Sequence, residues 1–119
     1  MNKSNYNMDI KMEYQNITMI KGDTVAFNVE VFDENNEPVT IDSAYLTCKK
    51  IPSRETVTFQ KTLGNGIGQH DGLISVRIAP EDTREVDAGN YFYDLQIGLE
   101  NDVFTILIGT LTIEQDVTY

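Results

Sequence analysis

Asp87-Ala88-Gly89-Asn90-Tyr91-Phe92-Tyr93-Asp94-Leu95-Gln96-Ile97 couples a glycine turn to a strand with period-two alternation. Tyr91, Tyr93, Leu95, Ile97 and Leu99 fall on one face and Phe92, Asp94 and Gln96 on the other, because successive side chains of an extended chain point to opposite sides. Gly89 stands where the chain reverses and a residue without Cβ is favoured. A tyrosine opening such a strand turns its hydroxyl back to a backbone carbonyl a few residues upstream and fixes the corner. Immediately before it, Ala79-Pro80-Glu81-Asp82-Thr83-Arg84-Glu85-Val86 has proline near its start and acids in its first turn. That pattern predicts one short helical turn.

The same alternation recurs on both sides of this corner, and helical periodicity barely appears. From Thr24 to Phe32, Val25, Phe27, Val29 and Val31 face one way and Ala26, Asn28 and Glu30 the other. Asp33-Glu34-Asn35-Asn36-Glu37-Pro38 follows as a turn, since Asp and Asn tolerate left-handed backbone and proline cannot extend a central strand. Ala44 to Lys50 predicts a strand with Leu46 and Cys48 inside, and Thr56 to Lys61 another with Val57 and Phe59 on one face. Leu63 to Gly72 holds four of the eight glycines, which predicts a flexible connection or a wide hairpin end. Alternation resumes from Leu73 to Ile78 through Ile74, Val76 and Ile78. Glu100-Asn101-Asp102 closes a hairpin into Val103 to Gln115, where the apolar phase changes from Phe104, Ile106 and Ile108 to Leu107, Leu111 and Ile113, near Gly109. Such a slip means a bulge, or a span buried on both faces. Met8 to Met12 and Tyr14 to Met19 are weaker pairing segments.

About seven strands spaced by 8 to 12 residues make an all-β, immunoglobulin-like β-sandwich of antiparallel strands, with one helical turn before a tyrosine corner. Immunoglobulin domains usually carry a cysteine two positions after the corner tyrosine; here that position is Tyr93. The single cysteine, Cys48, excludes an intrachain disulfide and lies on the apolar phase of its strand, as a buried, unreactive thiol would. Residues 1–7 read as a loose arm, and residues 8–119 as one sandwich domain.

With 119 residues the chain has the length of one domain, enough to bury roughly two-thirds of its unfolded surface. Nineteen acidic residues against nine basic ones give a net charge of −10, the wrong sign for holding phosphate backbones, so no nucleic-acid partner is expected. The acids are spread over several turns and serve solubility. No run of about 18 apolar residues offers a membrane helix, and no membrane partner is expected. Met1 to Asn7 has one lysine and no apolar stretch, so a secretory signal is not expected and synthesis in a cytoplasm is.

Chemistry is narrowed by elimination. His70 is the one histidine and lies in the glycine-rich segment, so no base stands near a Ser or Cys nucleophile, and one His with one Cys cannot assemble a zinc site. The carboxylates cluster in turns, where solvation explains them, and no acid-base dyad is nominated. No catalytic residue, cofactor-binding residue or metal ligand is therefore nominated, no cofactor is expected, and an enzyme is not expected. Gly64-Asn65-Gly66-Ile67-Gly68 opens no helix and lacks the Gly-Lys-Ser/Thr of a phosphate loop. Asp33 to Glu37 has the oxygen density of a calcium loop without its twelve-residue spacing, and a plain acidic hairpin is the reading. Asn16-Ile17-Thr18 is a glycosylation sequon that means nothing without secretion. Lys21-Gly22-Asp23 makes a turn that launches the next strand.

Ile20-Lys21-Gly22-Asp23-Thr24-Val25-Ala26-Phe27, Val31-Phe32-Asp33 with Pro38-Val39-Thr40-Ile41, Gly89-Asn90-Tyr91-Phe92-Tyr93-Asp94-Leu95-Gln96-Ile97, and Gly109-Thr110-Leu111-Thr112-Ile113 with Asp116-Val117-Thr118 occur in that order. Together they resemble a family of small phage and prophage proteins, similar to the immunoglobulin-like N-terminal domain of siphophage baseplate upper proteins. The resemblance covers Met19 to Thr118. It departs at Asn35-Asn36, where a glycine-containing turn is common, and at Cys48. It implies a tail- or baseplate-associated virion structural protein, partnered by other phage structural proteins or its own copies, and supplies no catalytic residue. Met1 to Asp9, Leu63 to Gly72 and Glu114 to Tyr119 are the expected contact segments. The alternative is a carbohydrate- or surface-binding module, for which the outward aromatics Tyr45, Phe32 and Phe92 are the candidates.

Overall fold

A computed structural model describes residues 12–115. The expected arm, residues 1–7, lies outside them, as do Met8 to Lys11 and the last four residues. The order of elements is β1 (Glu13–Tyr14), β2 (Ile17–Ile20), β3 (Val25–Glu30), β4 (Ser43–Lys49), β5 (Phe59–Leu63), β6 (Gly66–His70), β7 (Leu73–Ile78), α1 (Pro80–Thr83), β8 (Gly89–Leu99) and β9 (Asp102–Glu114). Hydrogen-bonded neighbours run β1-β9-β8-β4-β5-β6-β7-β3, with β2 also on β9. The path doubles back between β5 and β6, which touch only at Thr62 with Gly66 and Leu63 with Ile67. One layer is thus β1 and β2 with β9, β8, β4 and β5, and the other is β6, β7 and β3. This is an immunoglobulin-like β-sandwich.

Between the layers the alternating residues meet in one core. Leu46 and Cys48 of β4, Ile74, Val76 and Ile78 of β7, Leu95 and Ile97 of β8, and Leu111 and Ile113 of β9 are each at most 1% exposed. Burying such side chains contributes about 1.5–3 kcal/mol each before chain entropy is charged against it. Burial pushes the Cys48 thiol up to about 12, so the sulfur is a small core hydrophobe.

The phase change in the last strand is a bulge. Leu95 pairs with Leu107 but Gln96 pairs with Thr105, so Ile106 is the extra residue, and both Ile106 and Leu107 are buried. The helical turn forms at Pro80–Thr83, where the Ala79 N–H donates to Asp82 Oδ2 at 2.7 Å. The Lys21-Gly22-Asp23 turn also forms, with Asp23 N–H donating to Ile20 O at 3.0 Å.

Four details differ from the sequence reading. Pairing is not antiparallel throughout: β1 and β2 run parallel to β9, and β5 runs parallel to β6. The glycine-rich Leu63 to Gly72 segment contains strand β6, paired with β7 and burying Ile67. Glycine there is needed for backbone shape: Gly64 and Gly66 have φ of +91° and +98° and steer the chain from one layer to the other. Val57 is 42% exposed, because β5 begins only at Phe59 and Val57 precedes the ladder. Phe27 is half-buried, since β3 ends its sheet and nothing among the described residues covers its far side.

Candidate functional site

The corner is built as its sequence implies. Tyr91 Oη donates to Asp87 O at 2.6 Å, and Lys50 Nζ lies 4.7 Å from the ring centroid, a cation–π contact. Burial, then Asp87 and Cys48, hold the Tyr91 hydroxyl above its ordinary range. Tyr93 takes the place of the missing cystine sulfur and reaches further. Its Oη donates to Gln15 O at 2.6 Å, and burial pushes its pKa up to about 12.

That bond belongs to a junction the sequence only hinted at. Between β1 and β2 the backbone crosses Gly109, where a Cβ would come within 2.0 Å of Gln15 O. Gln15 N–H donates to Ile108 O at 2.9 Å, and Thr110 N–H donates to Asn16 Oδ1 at 3.1 Å. Asn16, the sequon residue, is thus occupied in fastening β1 and β2 to β9.

On the opposite flank, Lys61 faces inward opposite Leu46 and is only 7% exposed. Its ammonium meets both Asp82 oxygens, at 2.9 and 3.1 Å. Since Asp82 also accepts from Ala79 N–H, one carboxylate ties the helical turn to β5. Thr83, fully buried, accepts from Gly22 N–H at 2.9 Å. Gln69 pairs with Ile41 as a backbone amide would, donating to its O and accepting from its N–H, both at 2.9 Å. These polar side chains are structural, and their pairing across the chain left no local signal in the sequence.

The expected hairpin at Asp33 to Pro38 spends its carboxylate on itself. Asp33 Oδ1 accepts from Asn35 and Glu37 N–H at 2.8 and 2.9 Å, the side-chain turn that Asp favours. Among the described residues no three His, Cys, Asp or Glu side chains gather as metal ligands would. His70 is exposed beside Asp71, at 3.2 Å.

Two surfaces remain as candidate contact sites. The first is a cleft of about 670 Å³ at the open side of the sandwich, between β3 and the β1, β2 and β9 flank. Ile17, Val25, Phe27, Val29, Ile106 and Leu107 supply its apolar wall, with Glu13 and Glu30 among its charged lining. The second is a shallow groove of about 350 Å³ on the outer face of β4 and β8, where Phe92 stands among Thr47, Lys49, Pro52, Asp94 and Gln96. Burial raises the Asp94 carboxyl, opposed by Lys49. Of the aromatics expected outside, Phe92 and Tyr45 are each 44% exposed and Phe32 is half-buried.

No protein-family model matches the sequence, and no curated protein matches it either. Solved structures do match in fold. Titin domain M7 superposes with a TM-score of 0.53 at 14% identity, covering 95% of this chain and 99% of that one. The endo-β-1,4-mannanase of Thermotoga petrophila gives a TM-score of 0.54 at 14% identity over 86% of this chain. The match spans only 18% of the mannanase chain. At such identities the likeness is one of fold, and it joins the topology in defining the immunoglobulin-like class.

Proposed function

We propose that this chain is a non-enzymatic structural or assembly module of a phage or prophage, tail- or baseplate-associated, that works through contacts with other structural proteins and with copies of itself. The observation that supports this reading most is the open side of the sandwich. A strand edge and half-buried apolar side chains lie together there, a surface suited to receiving another chain. The ordered sequence motifs that resemble a phage protein family also support this reading. Its acidic charge weighs against nucleic acid, and its place would be the virion after synthesis in the cytoplasm. Mass spectrometry of purified particles after prophage induction tests the reading: the chain is expected at a fixed ratio to tail proteins, and its absence from every particle would sink it.

The groove at Phe92 favours one alternative, a carbohydrate- or surface-binding module, because an exposed ring flanked by Thr47, Asp94 and Gln96 offers both stacking and hydrogen bonds. A glycan-array signal that disappears in Phe92→Ala would establish it.

A further inference from the structure

The open cleft and the chain's own N-terminal sequence are complementary. Strand β3 stands last in its sheet. The Val31 N–H donates to Gly72 O on the β7 side, and the ladder from Val25 to Glu30 is unbroken. Alternation then turns the backbone of Ala26, Asn28 and Glu30 toward the open edge. Beside that edge Val25, Phe27 and Val29 remain half-buried while their cross-strand partners Ile78, Val76 and Ile74 are 1% exposed. The cleft therefore lacks one strand with apolar residues on one face.

Such a strand is written upstream. In Tyr6-Asn7-Met8-Asp9-Ile10-Lys11-Met12, apolar Tyr6, Met8, Ile10 and Met12 alternate with polar residues. At about 3.3 Å per residue this stretch matches the length of β3. Its own cleft is a poor destination. The cleft is lined by Glu13, Gln15 and Ile17 on one side and by Val25 to Phe32 on the other, and the Lys21–Thr24 turn makes β2 and β3 run oppositely. Glu13 is thereby level with Phe32, so the direction of the chain at Met12–Glu13 leads upstream off the end of the cleft. To enter its own cleft the segment must reverse and run parallel to β3; from a second copy it enters antiparallel without reversing. Antiparallel pairing is also the slightly more stable of the two.

We propose that the cleft receives residues 6–12 of a second copy, which add an antiparallel strand to β3 and seat Tyr6, Met8 and Ile10 against Val29, Phe27 and Val25 respectively. This rests on the assembly reading above and names its contact.

The test compares the full chain, a form lacking residues 1–11, and full-length Ile10→Asp, by light scattering over a concentration series. The full chain is expected to self-associate, and both altered forms to be monomers. A labelled peptide of residues 1–13 should bind the shortened form saturably, and its Ile10→Asp counterpart about tenfold or more weaker, since a carboxylate enters an apolar wall. If all three forms assemble alike, the strand proposal is wrong while the assembly reading stands. A full chain that stays monomeric overturns the proposal as well, and if it is also absent from purified particles the broader reading fails with it. No peptide binding to the shortened form likewise overturns the proposal.

Discussion

Strands β3 and β7 are neighbours in one sheet with the same alternation, yet Ile74, Val76 and Ile78 are 1% exposed while Val29, Phe27 and Val25 opposite them are half-buried. Their sequences look equally suited to the core. The difference lies in position: β7 has β6 on its far side, and β3 has none among the described residues. An inward-facing side chain at an open edge is covered from one flank only, so alternation fixes which way a residue points and neighbouring strands fix how deeply it is buried.

Core truncation should break this contrast most strongly. Ile74→Ala is expected to cost about 2–5 kcal/mol by urea unfolding, whereas Val29→Ala in the form lacking residues 1–11 should cost well under half as much. Equal losses would show that the edge is as closed as the centre. At the Lys61 flank, Asp82→Ala removes an ion-pair partner and the acceptor for Ala79 together. An unpaired ammonium remains at a side-chain exposure of 9%, and a loss of about 2–4 kcal/mol is expected. A loss within error of zero would show that Lys61 swings out to water.

The tyrosines sharpen the comparison between local and distant fastening. Tyr91→Phe and Tyr93→Phe should each cost about 1 kcal/mol for one lost hydrogen bond. Only the second should speed amide exchange at Gln15, because only Tyr93 holds the β1–β2 junction.

Alkaline pH should weaken both the core and the β1–β2 junction. Cys48 and Tyr93 have folded pKa values of about 12, above ordinary values of 9.0 and 10.0. Folding keeps both protonated, so their contribution is complete below pH 9 and is lost as pH rises from 9 toward 12. The urea midpoint should fall across that window and fall less in Cys48→Ala, while thiol reagents at pH 8 should label Cys48 only on unfolding.

Much of the scaffold is legible from residue order. The Gly89 turn, the Tyr91 corner, the proline-led helical turn and the phase slip at Ile106 are local events, and each leaves its mark within a few residues of itself. The β6 strand was hidden because the glycines in and before it look like flexibility, although Gly64 and Gly66 set the left-handed backbone that carries the chain between layers. Lys61 falls in phase with Phe59, so alternation places it inward; what stayed hidden is its partner Asp82, which comes from another element.

The candidate contact surface divides the same way. Amphipathic alternation in residues 6–12 and in β3 can be read from the sequence, since it depends only on the two-residue period of an extended chain. That β3 ends a sheet, that β1 and β2 lie on β9, and that a cleft opens between them were decided by pairing across the whole chain. The sequence by itself determined an all-β chain with a tyrosine corner and no disulfide. Tertiary structure alone decided which of its equivalent-looking strands would be left with an open side, because burial is a property of neighbours rather than of the residue.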